Sequence, residues 1–236
     1  MGSPKRPRFG VGIDFDHTLG IDNKIERVAF LRLLDRLPAG GAASPELETA
    51  AVDALLAEQR SGKYTIDEAV IRFVRTHTPS VTDCTEYIRW YKDTVLETVD
   101  QFVIPLPGAV DVLATLQARS VPVAILSNGW SPLQQRKAAR VGFQGPVLVS
   151  DQIGTQKPAQ LAFQRLLKAL QIPANNAFYV GDNPVADIGG CMKAGMRGVW
   201  LDAEGIPYPS ELAKPSLVIH ALSELLDVLP GPAEQT

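Results

Sequence analysis

The chain has 236 residues, 45% of them hydrophobic and 21% charged, with a formal net charge of −3. That composition supplies a full hydrophobic core and excludes a disordered or fibrous chain, at a length above one average domain. The slight acidity provides no basic footprint for nucleic acid or an anionic membrane surface. Cys84 and Cys191 make neither a disulfide framework nor a zinc spacing, so a reduced, cytoplasmic setting is expected. No apolar run approaches the ~18 residues of a membrane span, and no signal-peptide h-region is visible at the N-terminus. The one basic cluster, Lys5-Arg6-Pro7-Arg8, reads as a solvated tail.

The first strand is predicted over about residues 9 to 14, the apolar run before "DFDHT". The pattern then turns helical. Phe30, Leu33, Leu34 and Leu37 share one face, and "AGGAAS" breaks that helix. Ser44-Pro45 reads as an N-cap followed by proline at the first helical position, opening a helix to about Arg60 that Gly62 stops. "TIDE" (Thr65 to Glu68) is a capping box, and a further helix covers roughly Asp83 to Thr98. Residues 21–103 therefore read as helix after helix, with no convincing strand.

From Pro107 the rhythm changes. Ala109, Val112, Leu113 and Leu116 mark a helix, "VPVAILS" a strand, "SPLQ" (Ser131 to Gln134) the cap of the next helix, and "PVLVS" a short strand. Phe163, Leu166, Leu167 and Leu170 mark another helix, followed by "AFYVGD", "RGVWLD" and "SLVIH" as strands. Continuous apolar strands alternating with helices indicate α/β architecture, a doubly wound parallel, Rossmann-like sheet covered on both faces. The expected organisation is an α/β core of residues 1–20 and 104–236, interrupted by an all-helical insertion of residues 21–103.

Ligands of such sheets bind beyond the carboxyl ends of the strands. The polar residues expected there are Asp14 and Asp16, Ser127-Asn128-Gly129, Lys157 ahead of a helix starting near Ala159, and Asp182 with Asp187. Two like charges aimed at one spot by Asp14 and Asp16 imply a bound cation or a retained proton. Together these groups offer a nucleophile, a proton donor, anion ligands and a divalent-cation site, the parts needed to move a phosphoryl group onto a carboxylate.

The four stretches, "DFDHT", Ser127, Lys157 and "GDNPVAD", resemble in order and placement the motifs of the haloacid dehalogenase superfamily, and residues 21–103 resemble its C1-type cap. The resemblance implies Asp14 as nucleophile, becoming an aspartyl phosphate, and Asp16 as general acid and then base. It implies Mg²⁺ held by Asp14, the Asp16 carbonyl and Asp182, with Asp187 steadying water ligands in a second shell. Ser127 and the backbone near Asn128 would hold phosphate oxygens, and Lys157 would offset charge between Asp14 and the phosphoryl group. The family often has glycine where this chain has His17.

Physical chemistry is compatible with those roles. A carboxylate approaching a phosphate dianion meets about 4 kcal/mol of repulsion per charge pair at roughly 4 Å and an effective dielectric near 20. Mg²⁺ and Lys157 cancel much of it. Asp16 has to hold a proton well above the usual aspartate range of about 3.9, and partial burial beside Asp14 pushes it that way. Lys157 near a helix start would add to the attraction of the helix N-terminus for an anion.

The expected function is a Mg²⁺-dependent phosphomonoesterase on a small soluble phosphorylated metabolite, with no nucleic-acid or membrane partner, as a monomer or homodimer. A phosphomutase uses the same acids. A haloacid dehalogenase needs the first aspartate but not the second, and a non-catalytic binding protein needs none. Arg60 and Lys63, in the link between two insertion helices, are candidates for reading the substrate and are equally readable as solvated loop cations; His17 is a further candidate that reads first as a loop residue. Asp187 is also readable as a helix N-cap, and Trp130 as packing or as part of the substrate mouth.

Overall fold

The computed structural model describes residues 9–22, 24–38 and 44–230. The basic run Lys5–Arg8 and most of the "AGGAAS" break lie outside these. The chain divides into two compact units, Met1–Ile21 with Ile104–Thr236, and Asp22–Val103.

In chain order, β1 (Gly10–Ile13) and the short β2 (Gly20–Ile21) precede four helices: α1 (Ile25–Leu34), α2 (Pro45–Arg60), α3 (Ile66–His77) and α4 (Thr85–Phe102). Next come β3 (Ile104–Pro105), α5 (Ala109–Ala118), β4 (Val123–Ser127), α6 (Leu133–Arg140), β5 (Val147–Val149), α7 (Ser150–Ile153) and α8 (Gln160–Leu170). The rest are β6 (Ala177–Gly181), a π-helical turn Pro184–Gly189, α9 (Gly190–Lys193), β7 (Arg197–Leu201), β8 (Leu217–Ile219) and α10 (Leu225–Val228).

The Asp22–Val103 unit owes its helices to local chemistry that the sequence displays. Ser44 caps α2 by accepting from the Leu47 amide at 3.4 Å, with Pro45 in the first turn. Thr65 and Glu68 form a reciprocal capping box at α3, each accepting from the other's backbone amide. Phe30 of α1 packs on Tyr91 of α4 and Phe73 of α3, with ring centroids 4.5 and 5.1 Å apart. Such aromatic contacts add to the burial that supplies most helical stability.

In the other unit six strands form one sheet in the order β5-β4-β1-β6-β7-β8, every pairing parallel. Winding runs outward from β1 through β4 to β5, and from β6 through β7 to β8. The direction reverses between β1 and β6, so their carboxyl ends flank the crevice where doubly wound sheets bind ligands. Beneath it, Ala162, Phe163, Leu166 and Leu170 of α8 pack on Ala124 and Leu126 of β4 and on Ala177 and Tyr179 of β6.

Three local expectations are corrected. Residue 21 is in a strand, because β2 pairs antiparallel with β3 to form a two-stranded ribbon where the sequence had indicated helices alone. Ser131 does not cap α6: Pro132 holds the cap position without a side-chain bond, and the Ser131 amide donates to Asp151 Oδ2 at 2.8 Å. Asp187 is not an N-cap either; Asn183 accepts from the Val185 and Ala186 amides at that helix start.

Candidate active site

Asp14 follows β1 directly and Asp182 follows β6 directly, and the two strands are locked in register by the pairing of Ile13 with Val180. The Asp14 amide continues the ladder, donating to the Val180 carbonyl at 2.9 Å. The side chains of these two residues therefore open at the reversal of winding by geometry alone. Asp187 joins them from the π-helical turn Pro184–Gly189 that follows β6. Carboxylate oxygens of Asp14, Asp182 and Asp187 lie within 4.8 Å of one another.

Lys157 is buried among them, 4% exposed, with Nζ 2.7 Å from Asp14 Oδ1 and 2.7 Å from Asp187 Oδ1. Burial opposes its charge, but the attraction of the two carboxylates more than offsets that and holds the ammonium above the ordinary lysine range. One cation faces three acids, so negative charge is left over. Burial, and then the neighbouring carboxylates, push Asp14 up to about 7 despite Lys157. Asp182 is pushed up to about 6 by burial and then by Asp14, and burial raises Asp187 as well. A compact set of hard oxygen donors with unbalanced negative charge suits a small divalent cation such as Mg²⁺.

Asp187 has both oxygens engaged: Oδ1 accepts from Lys157, and Oδ2 accepts from the Asn183 amide at 3.1 Å. Its approach depends on Gly181, where an added Cβ would lie 2.4 Å from Asp187 Oδ2. Thr18 points its hydroxyl at Asp182 Oδ1 at 3.5 Å, and Trp200 donates its indole N–H to the Asp182 carbonyl at 2.9 Å. Trp200 thereby pins the backbone from which the Asp182 side chain projects.

Asp16 is turned to other partners. Its Oδ1 accepts from Lys137 Nζ at 2.9 Å and its Oδ2 from Gln134 Nε2 at 3.4 Å. The Lys137 cation comes from α6, far from Asp16 in the chain, and has no counterpart among the residues around "DFDHT". His17 is exposed and sits at φ 60, the left-handed region that glycine enters freely. A histidine bears the cost of that conformation here, on the order of 1 kcal/mol.

Ser127 ends β4 almost fully buried, its hydroxyl only weakly engaged by the Asn128 carbonyl at 3.5 Å. The Asn128 side chain is committed to Lys157: its Oδ1 accepts from the Lys157 amide at 2.9 Å and its Nδ2 donates to the Lys157 carbonyl at 3.0 Å. That two-point clasp positions Lys157 without a helix, since α8 begins only at Gln160. Trp130 is buried, so it packs rather than opening to solvent. In the Asp22–Val103 unit, Arg60 and Lys63 are exposed; Arg60 reaches Glu26 at 3.7 Å and Lys63 bonds Glu58 at 2.6 Å.

Lys137, Gln134 and Thr18 carry no sequence signal of a place at the site, and Trp200, which reads as packing and is buried, adds its bond to the Asp182 carbonyl. Lys137 and Gln134 stand three apart beside apolar Leu133 and Ala138, a polar face on the buried side of α6 that the spacing carries but does not explain.

A parallel sheet wound both ways from the site, with acids and a buried lysine at the reversal, defines a doubly wound α/β protein with an acid-rich site at its strand ends. A family model described as haloacid dehalogenase-like hydrolase matches residues 10–195, and the chain belongs to that family. It is 35% identical over 122 residues to a phosphoserine phosphatase of Thermus thermophilus, covering 50% of this chain and 49% of that one. It is 29% identical over 141 residues to the pyrimidine 5'-nucleotidase YjjG of Escherichia coli, covering 58% and 62%. The chain thus spans about half the length of the curated relatives it matches. Among solved structures, the HAD-hydrolase YfnB of Bacillus subtilis aligns with a TM-score of 0.67 at 25% identity, over 94% of this chain and 99% of that chain. A 2-haloacid dehalogenase of Pseudomonas syringae pv. Tomato DC3000 aligns with a TM-score of 0.69 at 25% identity, over 92% and 96%. Among the described residues no helix is long and apolar enough to cross a membrane.

Proposed function

We propose that the chain is a Mg²⁺-dependent phosphomonoester hydrolase that carries the phosphoryl group on Asp14 and acts on a small phosphorylated metabolite. The observation that carries this reading is Lys157, clasped by Asn128 and placed 2.7 Å from Asp14, beside a cluster of three carboxylates. Relatives named as phosphatases, including a glyceraldehyde 3-phosphate phosphatase of Pyrococcus abyssi, support it.

In this reading an Asp14 carboxylate oxygen attacks phosphorus, and the bond from phosphorus to the ester oxygen breaks. Asp16 gives its proton to the departing oxygen, releasing an alcohol and leaving an aspartyl phosphate. Asp16 then takes a proton from water as the water oxygen attacks phosphorus, and the Asp14–phosphorus bond breaks to release inorganic phosphate. Ser127 and the main chain near Asn128 orient the phosphoryl oxygens, while Lys157 spreads charge between Asp14 and those oxygens. Mg²⁺ held by Asp14, Asp182 and the Asp16 carbonyl would supply further positive charge against the phosphoryl oxygens. Asp187, with both oxygens already accepting from the protein, is assigned to orienting that set rather than to ligating directly.

The helical unit Asp22–Val103 is proposed as the C1-type cap that sets substrate choice, with Arg60, Lys63 and His17 as specificity residues. Asp16 argues against the dehalogenase reading, because that reaction needs the first aspartate but no acid at the second position. The test is phosphate release from a panel of phosphorylated metabolites and an aryl phosphate, with Mg²⁺ and with excess chelator. The proposal expects release only with the metal. Halide release from a 2-haloacid without phosphatase activity, or full phosphatase activity in chelator, contradicts it.

A further inference from the structure

We propose that Lys137, helped by Gln134, is the positioning residue for Asp16, holding its carboxyl so that Oδ2 trades protons with the leaving group and with water. The inference rests on the reading of Asp16 as general acid and base. Its own evidence lies on α6, whose solvent side carries the exposed Arg136 and Arg140. The opposite side would ordinarily be apolar. Instead it buries a lysine that is 1% exposed and a glutamine that is 3% exposed, next to Leu133 and Ala138.

Burying an ammonium is costly unless it is paired, and lysine is among the residues least often fully buried. Leucine at both positions would pack α6 more cheaply. What the two polar residues have in common is their target. Lys137 Nζ donates to Asp16 Oδ1 at 2.9 Å and Gln134 Nε2 donates to Asp16 Oδ2 at 3.4 Å. Standing three residues apart, they project from one helix face and meet the carboxyl as a two-pronged clamp. The Lys137 ammonium also lies 6.0 Å from the ring centroid of Phe15, the buried residue just before Asp16.

The backbone at the end of β4 is shaped for this clamp. A Cβ on Gly129 would fall 2.5 Å from Gln134 Nε2, so only glycine leaves the glutamine its path. The remaining Gln134 atom, Oε1, is buried with no hydrogen-bond partner among the described residues, a cost that packing alone gives no reason to accept. The strength of the two contacts is unequal. The charge-assisted bond on Oδ1 is the firm one, and the long bond on Oδ2 is easily displaced. Oδ1 is therefore the anchored atom and Oδ2 the one free to work.

The test is kinetic, on the full chain with Mg²⁺, comparing wild type with Lys137→Met, Lys137→Arg, Gln134→Leu and Asp16→Asn. Two probes are used: phenyl phosphate, whose leaving oxygen needs a proton, and dinitrophenyl phosphate, whose leaving group departs without one. General acid catalysis contributes about 10²–10⁴-fold, so a misplaced acid is expected to cost roughly 10- to 100-fold. For Lys137→Met that loss falls on kcat/KM for phenyl phosphate, while kcat/KM for dinitrophenyl phosphate stays within about threefold. With dinitrophenyl phosphate kcat still falls, because the same residue must activate water, and KM falls with it as phosphoenzyme accumulates. Lys137→Arg, which keeps a cation on Oδ1, restores most of the phenyl phosphate activity, and Gln134→Leu shows the same pattern more weakly. If Lys137→Met does not fold, the arginine and leucine variants carry the comparison. Equal losses on both probes, or no loss on either, overturn the proposal. Asp16→Asn separates the two levels of the argument. If it discriminates between the probes and Lys137→Met does not, the positioning role alone falls; if Asp16→Asn does not discriminate, the reading of Asp16 falls and takes this inference with it.

Discussion

Removing the cation from Lys157 by Lys157→Met tests whether the site is held together by unlike charges or by packing. Nζ lies 2.7 Å from a carboxylate oxygen of both Asp14 and Asp187. At an effective dielectric near 20, each contact is worth roughly 6 kcal/mol of attraction before the cost of burial is subtracted. Breaking a buried pair by deleting one partner costs about 3–5 kcal/mol, because the charge left behind is uncompensated. Here two carboxylates are stranded, so the upper half of that range is expected near pH 8. The loss should shrink as pH falls toward 5, since Asp14, raised to about 7, then carries a proton and no longer needs the lysine. Urea unfolding without metal would measure it, followed by the fluorescence of Trp130 and Trp200, both buried in the same unit as the site, in a Trp90→Phe background. A loss below about 1 kcal/mol near pH 8, or an equal loss at both pH values, would refute the reasoning.

Mg²⁺ should raise the melting temperature more near pH 8 than near pH 5. The raised values of Asp14 and Asp182 mean that the folded state keeps protons that the unfolded chain has lost, so their stabilising contribution is present below about pH 4 and lost as pH rises through about 6 to 7. The cation replaces those protons, and at a hundredfold excess over its Kd it adds about 2.7 kcal/mol, worth roughly 5–10 °C at this chain length by calorimetry. Equal shifts at the two pH values would separate the ion from these carboxylates. Asp182→Asn should require at least tenfold more Mg²⁺ for half-maximal activity, and an unchanged metal titration would remove Asp182 from the ion's ligands. Arg60→Ala is expected to raise KM for the true substrate several-fold while sparing a small aryl phosphate, because its exposed guanidinium lies a long 3.7 Å from Glu26 and can turn to another acceptor. Identical kinetics on both substrates would end its role in specificity.

Much of the fold could be read from the sequence because its signals are local. The alternation of apolar strands with helices from Pro107 onward, the Thr65–Glu68 capping box and the Ser44-Pro45 helix start each depend on residues a few positions apart. The polar groups at the mouth were visible for a related reason. Asp14, Ser127 and Asp182 all stand at or next to the end of an apolar strand. What escaped depended on distant partners. The β2–β3 ribbon joins Gly20–Ile21 to Ile104–Pro105 across the whole helical unit, and two residues per strand are too few to show a period. Lys137 and Gln134 look like ordinary polar positions on a helix until the fold brings Asp16, 121 and 118 residues away, against them. The Asn128 backbone was legible as part of an anion site, but not the two side-chain hydrogen bonds by which Asn128 holds Lys157 in place.

The central claim is that a phosphoryl group rests on Asp14 during turnover. It is tested most directly by mixing the protein with Mg²⁺ and dinitrophenyl phosphate, quenching in acid within the first turnover, and sequencing peptides by mass spectrometry. Tryptic cleavage after Arg8 and Lys24 releases Asp14 and Asp16 on one peptide, and fragmentation between them assigns the modified residue. The account predicts a phosphorylated Asp14 in wild type, accumulation of the same species in Lys137→Met, and none in Asp14→Asn. Phosphate found on Asp16 or any other residue, or undiminished turnover of the Asp14→Asn protein, would contradict it.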